Sequence, residues 1–313
     1  MNVLQDYKFI KLDTSKIKDL LFLYKFCFGF EPSEEELLSK HLNCNGGNKF
    51  IGFIAYAKDN TPAAYYGVFP QIINYNNIDY LVAQSGDTMT HPDHRKKGLF
   101  VALAKHTFEY CKTINIQAIF GFPNQYSYPG FINKLEFKEL DRLTGYSFYE
   151  NRFEYGRLFK FINSRYTQFI IRIMKLIFKP GSPFENSNFH SQIAYVKHDS
   201  IYFNSKIKKT NLLLKIKEVD VFLKINGNTI SIGDINTDHC KEIEKIISLL
   251  KKCCFIFGLR FLNFDATPKS YLTKTIIRLK PKHFESNRSI LLNLNSNLPF
   301  NSIEFLGSDI DVF

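Results

Sequence analysis

A strand that ends in a basic, glycine-containing turn and enters a helix at once is the feature that most constrains this chain. It runs Ala83-Gln84-Ser85-Gly86-Asp87-Thr88-Met89-Thr90-His91-Pro92-Asp93-His94-Arg95-Lys96-Lys97-Gly98-Leu99-Phe100, and apolar residues at helical spacing follow over 101–111. The first N–H groups of a helix have no partner within it, and at such a turn they converge on one spot. The helix dipole adds partial positive charge there, and Arg95, Lys96 and Lys97 add full charges. A phosphate or pyrophosphate is therefore the expected guest.

Composition narrows the surroundings. The 313 residues give room for two domains with real cores. A 45% hydrophobic, 16% aromatic chain is globular and not disordered. The 41 Lys+Arg against 30 Asp+Glu leave a net charge of +11. That excess suits nucleic acid, an acidic membrane surface or a phosphorylated ligand, and also a chain whose composition is simply basic. Cys27, Cys44, Cys111, Cys240, Cys253 and Cys254 show no Cys-x-x-Cys spacing, which argues against a zinc site and a disulfide framework. No metal ligand is assigned. The N-terminus lacks a secretory leader pattern and no apolar run is long enough to span a bilayer, so a cytoplasmic protein is expected.

Along the chain, the Asp13-Thr14-Ser15 cap precedes an apolar-periodic helix over 16–26 that stops at Gly29. Ser33 and Glu36 stand at capping-box spacing and open a second helix. Alternating runs over 50–57, 63–69 and 78–90, parted by turn residues, predict an antiparallel meander. A helix over 98–113, a strand over 117–122, a short helix over 127–135 and a strand region over 137–149 follow. The order is α-α-β-β-β-α-β-α-β.

This order, with a phosphate-type turn after the third meander strand, resembles the GNAT superfamily of acyl-CoA-dependent N-acyltransferases. The superfamily's Arg/Gln-x-x-Gly-x-Gly/Ala loop, often preceded by His-Pro, is matched at His91, Pro92, Arg95 and Gly98, and departs at Phe100. A large side chain there is expected to crowd the helix start. The superfamily's second signature resembles the stretch from Gly121 through Asn124, Ser127 and Tyr128 to Lys134-Leu135-Glu136-Phe137, with Glu136 in place of the usual Gly. Phe131 stands where many members have a Tyr that protonates the departing thiolate; Tyr126, Ser127 or Tyr128 would substitute, with Tyr128 the candidate acid, or the thiolate leaves without protonation by the protein.

The resemblance covers about residues 11–149. It implies a mixed α/β (α+β) fold with a largely antiparallel sheet flanked by helices, and acetyl-CoA as co-substrate without metal. Thr88, Met89 and Thr90 would line the pantetheine arm. Arg95, Lys96, Lys97, Gly98, Leu99 and Phe100 would hold the pyrophosphate, with Asn124 and Ser127 completing the cofactor side. Asp87 is the carboxylate nearest the expected reaction centre. It reads equally as general base or as anchor for a substrate ammonium, because an unshifted Asp is a weak base at neutral pH. His91 and His94 belong to the turn and are not assigned to catalysis.

Three regions are expected: a catalytic domain over 1–152, a basic linker helix over 153–188, and a smaller α/β domain over 189–313 that reads as a degenerate repeat of the first. Residues 157–179 contain no acidic residue, which suits an interfacial helix on anionic lipid as well as a connecting helix between domains. In the second domain a hairpin around 226–228, a helix over 238–252 and a strand over 255–264 are expected, with no cofactor. The tail, with Asp309 and Asp311, is weakly similar to that of two-part GNAT proteins of bacterial surface-glycan modification. That likeness implies contact of both carboxylates with an amino-sugar acceptor, against the alternative of a solvated terminus. The partner is accordingly a small-molecule amine acceptor such as a sugar, with no nucleic acid, and a homodimer is compatible. Two other classes stay open: a Fem-type aminoacyltransferase using aminoacyl-tRNA, and a non-catalytic GNAT-fold module.

Overall fold

A computed structural model describes residues 3–42, 47, 49–150, 164–186, 193–206, 209–294 and 298–310. The chain divides into two compact units, one of Met1–Asn74, Ile78–Leu140 and Ser289–Asn301, the other of Tyr75–Asn77, Asp141–Arg288 and Ser302–Phe313.

In chain order the elements are β1 (Lys8–Lys11), α1 (Ile17–Phe28), α2 (Glu34–Leu42), β2 (Gly52–Tyr56), β3 (Pro62–Tyr75), β4 (Ile78–Thr90), α3 (Leu99–Thr113), β5 (Ala118–Gly121), α4 (Tyr128–Leu135) and β6 (Lys138–Glu139). Then come β7 (Thr144–Glu150), α5 (Ser164–Ile177), β8 (Lys179–Pro180), β9 (Ala194–Val196), α6 (Ser200–Lys206), β10 (Asn211–Ile216), β11 (Val219–Asn226) and β12 (Thr229–Ile235). The last are α7 (Cys240–Ile256), β13 (Phe261–Ala266), α8 (Tyr271–Arg278), β14 (Lys282–Glu285), β15 (Ile290–Asn293) and β16 (Ile303–Glu304).

The helix starts follow from local chemistry. Asp13 Oδ1 accepts the Ser15 N–H at 2.7 Å and opens a 3-10 turn that runs into α1, and Gly29, at φ +74°, closes that helix. At α2 the capping box is reciprocal: Ser33 Oγ accepts the Glu36 N–H at 3.1 Å and Glu36 Oε2 accepts the Ser33 N–H at 3.2 Å.

In the first unit the sheet order is β1-β2-β3-β4-β5-β15-β6. Side chains alternate across it, so Tyr66 joins one core with Leu99, Leu103, Ala104 and Phe108 of α3, while Tyr65 joins another with Leu20, Leu21, Leu23 and Tyr24 of α1. The sheet is thereby covered on both faces. In the second unit the order is β14-β7-β13-β12-β11-β10-β8, and β16 pairs in parallel with β9. Here β12 lies parallel to β13 across the α7 connection, as β4 lies parallel to β5 across α3. The fold is mixed α/β, built on two largely antiparallel sheets.

Several elements differ from expectation. Strand β1 was not anticipated; it pairs antiparallel with β2. The strand region expected over 137–149 is two strands, and β7 pairs with β13 and β14 rather than with β6. The strand expected from 255 begins only at Phe261, because α7 runs on to Ile256 and Gly258, at φ +59°, turns the chain. The basic helix is α5, and residues 157–163 of the expected span lie outside the described residues.

Asp309 is neither solvated nor aimed at an acceptor. The Asp309 carboxylate is buried in the second unit, where His198 Nε2 donates to its Oδ1 at 2.8 Å, the Tyr202 hydroxyl donates at 3.0 Å, and the Leu306 N–H donates to Oδ2 at 2.7 Å. His198 Nδ1 donates to Asp234 Oδ2 at 2.6 Å. Carboxylates only accept, so both ring nitrogens carry protons and the ring is an imidazolium. Burial opposes that charge, but Asp309 and Asp234 outweigh it and raise the His198 pKa to about 9. Asp311 lies outside the described residues.

Because the folded pKa of His198 exceeds the unfolded value near 6.5, its contribution is fully present below that pH and is lost as pH rises through about 9. Urea denaturation of His198→Ala should show a loss of about 3–5 kcal/mol, since two buried carboxylates lose their cation. The wild-type midpoint should fall between neutral pH and pH values above 9, and that fall should be absent in the variant.

Candidate functional site

Strands β4 and β5 part early. Their parallel pairing covers Ala83↔Ile119, Gln84↔Phe120 and Ser85↔Gly121, after which β5 ends while β4 continues to Thr90. A Cβ added at Gly121 would make ordinary contact with the Ser85 Cβ at 3.4 Å, so the strands are in regular contact up to the point where they separate. The Tyr66 hydroxyl and Ser85 Oγ, 2.8 Å apart and buried, hold that last paired residue. Beyond it Asp87 takes φ +53°, which bends β4 out of regular extension. On the other side the His91 N–H still reaches Ala63 O at 2.9 Å. Among the described residues, the β5-facing backbone edge of residues 86–90 has no strand partner.

The basic turn follows directly. His91 Nδ1 accepts the Asp93 N–H at 3.4 Å and its ring packs on Phe26, while the Tyr7 hydroxyl meets His94 Nδ1 at 2.8 Å. Both histidines thus serve the turn. Arg95 Nε donates to Thr90 O at 3.3 Å, and Lys96 takes φ +62°. Gly98 is the N-cap of α3 at φ +80°, and a Cβ there would meet nothing within 4 Å. The first helical bond runs from the Ala102 N–H to Gly98 O at 3.1 Å, which leaves the N–H groups of Leu99, Phe100 and Val101 pointing out of the helix end. Leu99 is buried and pins that end to the core. Three exposed cations, uncovered amides and open space over Gly98 fit a pyrophosphate.

The expected crowding by Phe100 does not occur. Its ring lies against α4, edge-on to Phe131 at 5.2 Å, and a Cβ added at Gly130 would come within 2.8 Å of it. Gly130 therefore makes the space that a small residue at position 100 would otherwise provide. Phe131 itself is buried in the core.

The other site residues fall into separate groups. Met89 sends its side chain into the α1 core, so only its backbone faces the opening, and Thr88 and Thr90 are half-buried beside it. Asn124 Oδ1 accepts the N–H groups of Tyr126 at 2.9 Å and Ser127 at 3.0 Å, and so shapes the turn before α4. The Tyr128 hydroxyl donates to Glu139 Oε2 at 2.5 Å.

Asp87 lies in a cluster that the sequence did not reveal. Lys40 Nζ donates to Asp87 Oδ1 at 2.6 Å, with both side chains largely buried. Burial opposes ionisation of Asp87, but the Lys40 ammonium, with help from the Tyr24 hydroxyl, holds its carboxyl below the usual range. Next to Lys40 the His41 ring is packed on Phe50 and Phe69, and its buried Nε2 has no hydrogen-bond partner among the described residues. Burial lowers the His41 pKa to about 4, so the ring is neutral. No motif in the sequence links Lys40 to Asp87, which lies 47 residues further along the chain.

Residues 8–138 match the family model of the acetyltransferase (GNAT) domain. Over that segment the chain resembles a GNAT acyltransferase domain. Solved structures share the fold across both units. A putative acetyltransferase from Pyrococcus horikoshii is 15% identical at a TM-score of 0.53, covering 93% of this chain and 90% of its own. A probable N-acyltransferase from Enterococcus faecalis is 12% identical at 0.61, covering 92% and 73%. Saccharomyces cerevisiae N-myristoyltransferase with bound myristoyl-CoA is 10% identical at 0.56, covering 94% and 84%. No curated protein sequence matches significantly. Within the matched segment the parted strands and the basic turn adjoin, and Asp87 lies between them on β4. Among the described residues no group of His, Cys, Asp and Glu is arranged to hold a metal ion.

Two outcomes follow. Gly130→Val should destabilise the domain by about 1–3 kcal/mol through overpacking on Phe100, and adding Phe100→Ala should recover part of the loss in thermal melts. Because the folded pKa of His41 is depressed, the unfolded chain takes up its proton first, and stability present above pH 6.5 is lost as pH falls toward 4. The urea midpoint of His41→Leu should lack that part of the acid dependence.

Proposed function

We propose that the GNAT domain moves an acetyl group from acetyl-CoA to the amine of a small molecule, with an amino sugar of surface-glycan synthesis as the acceptor class. The carrying observation is the opening between β4 and β5, which lies at the head of the anion turn. A CoA thioester needs both: a pyrophosphate cradle, and a strand edge whose amides hold the pantetheine and polarise the thioester carbonyl.

Each of the chain's groups has a role in this reading. The amides of Leu99, Phe100 and Val101, with Arg95, Lys96 and Lys97, hold the pyrophosphate. The free edge of residues 86–90 receives the pantetheine arm and offers a donor to the carbonyl oxygen. Asp87, kept ionised by Lys40, is a weak proton acceptor at neutral pH, which favours the ammonium-anchor role over that of general base. The amine's proton then leaves to water. Tyr128 is the donor to the departing thiolate, exchanging its bond to Glu139. Asp309 is committed to His198 and contributes nothing to acceptor binding, so the acceptor assignment rests on Asp87. A cytoplasmic setting accords with the free thiols of Cys27, Cys111, Cys240, Cys253 and Cys254.

The test is thiol release from acetyl-CoA over a panel of free and nucleotide-linked amino sugars. Gly98→Asp, which sets a carboxylate at the anion turn, should raise the KM for acetyl-CoA by roughly tenfold or more. Asp87→Asn should lower kcat/KM by about a hundredfold, chiefly through the acceptor KM. An Asp87→Asn enzyme of full activity would end the role of that carboxylate, and absence of saturable acetyl-CoA binding in calorimetry would end the reading itself.

A further inference from the structure

In the second unit two helices lie side by side on one face of the sheet. Ile170, Ile171 and Met174 of α5 and Ile243, Ile246, Ile247 and Leu250 of α7 enter one core with alternate residues of β10, β11, β12 and β13. The Tyr166 hydroxyl of α5 donates to Phe257 O, just past the end of α7, at 2.6 Å. The outward faces of the two helices therefore form one surface.

That surface is unusual in composition. Opposite its buried stripe, α5 presents Arg165, Phe169, Arg172 and Leu176, spaced four, three and four apart, so basic and apolar side chains alternate along one exposed line. Phe169 is 53% exposed and Leu176 82%. At the end of α7, Phe255 and Ile256 are each 73% exposed, next to the exposed Lys252. Helix α5 has no acidic residue, and α7 has none after Glu244.

Large apolar side chains left in water cost free energy, and single ones are ordinary on any surface. Here four of them share one face with a uniform positive charge. We propose that this face docks the protein on an anionic lipid bilayer, with Phe169, Leu176, Phe255 and Ile256 entering the headgroup boundary and the Arg and Lys side chains reaching lipid phosphates. Arg and Lys at such a boundary keep their stems in the apolar layer and their charges at the phosphates, which explains how the two residue types alternate instead of separating onto opposite faces. A protein partner or nucleic acid fits less well: Leu176 and Ile256 offer no ring to stack on bases, and a dry protein interface would bury the cations without partners. The proposal does not depend on the acyl-transfer reading.

The test is co-sedimentation of the full chain with vesicles of phosphatidylcholine alone and of phosphatidylcholine mixed with phosphatidylglycerol. Binding is expected only to the mixed vesicles, weakening as salt is raised. Phe169→Ser with Leu176→Ser should reduce the partition coefficient by roughly tenfold or more, and Arg165→Gln and Arg172→Gln by about fivefold each. These positions are exposed, so unchanged thermal melts should accompany the loss. No pelleting with mixed vesicles at low salt, equal pelleting with neutral vesicles, or full binding by the variants would overturn the proposal. A concentration-dependent dimer that Leu176→Arg dissolves, without vesicle binding, would assign the face to a second copy and overturn it equally.

Discussion

The site depends on one failure of pairing. Two parallel strands that matched along their whole length would bury their backbone groups against each other and offer a ligand nothing. Here β5 stops at Gly121 while β4 continues to Thr90, and among the described residues no strand pairs with the backbone edge so released. The positive φ at Asp87 bends β4 at the same place, and the Gly98 turn sets a helix end directly downstream. A strand edge and a basic helix end thus fall within one short segment.

The surrounding packing protects this geometry by compensation. Phe100 occupies a position where a small residue is usual, and the volume is returned at Gly130 on the helix it meets. A large residue moved the contact from one helix to the next without closing the turn. Asp87 shows the same logic electrostatically. A carboxylate buried on a bent strand would be neutralised by protonation if left alone, and Lys40 from α2 keeps it charged. In the second unit the imidazolium of His198 bridges the carboxylates of Asp234 and Asp309, and thereby ties the segment around Asp309 into the core.

How much was readable in the sequence depended on how local each feature is. The Ser33–Glu36 box, the Gly29 stop, the meander strands and the basic turn all follow from residues within a few positions of one another, and all were legible. Strand β7 was legible as a strand, but its partners β13 and β14 come from more than a hundred residues downstream, and β15 returns from the far end of the chain to lie between β5 and β6. Hydrophobic periodicity states that a strand exists and says nothing about which edge it joins. Asp309 was misread for a related reason: a carboxylate near a chain end looks solvated until His198 and Tyr202 are found around it.

The sequence by itself determined the strand–turn–helix with its positive charge and the glycine at the left-handed N-cap. Those are properties of contiguous residues, governed by φ preferences, capping and charge. Only the tertiary structure decided that Lys40 would neutralise Asp87, that Gly130 would receive Phe100, and that α5 and α7 would turn their basic and apolar faces the same way. Each of these joins residues far apart in the chain. Close packing and burial choose such pairs, and neither is written in the spacing of any one segment.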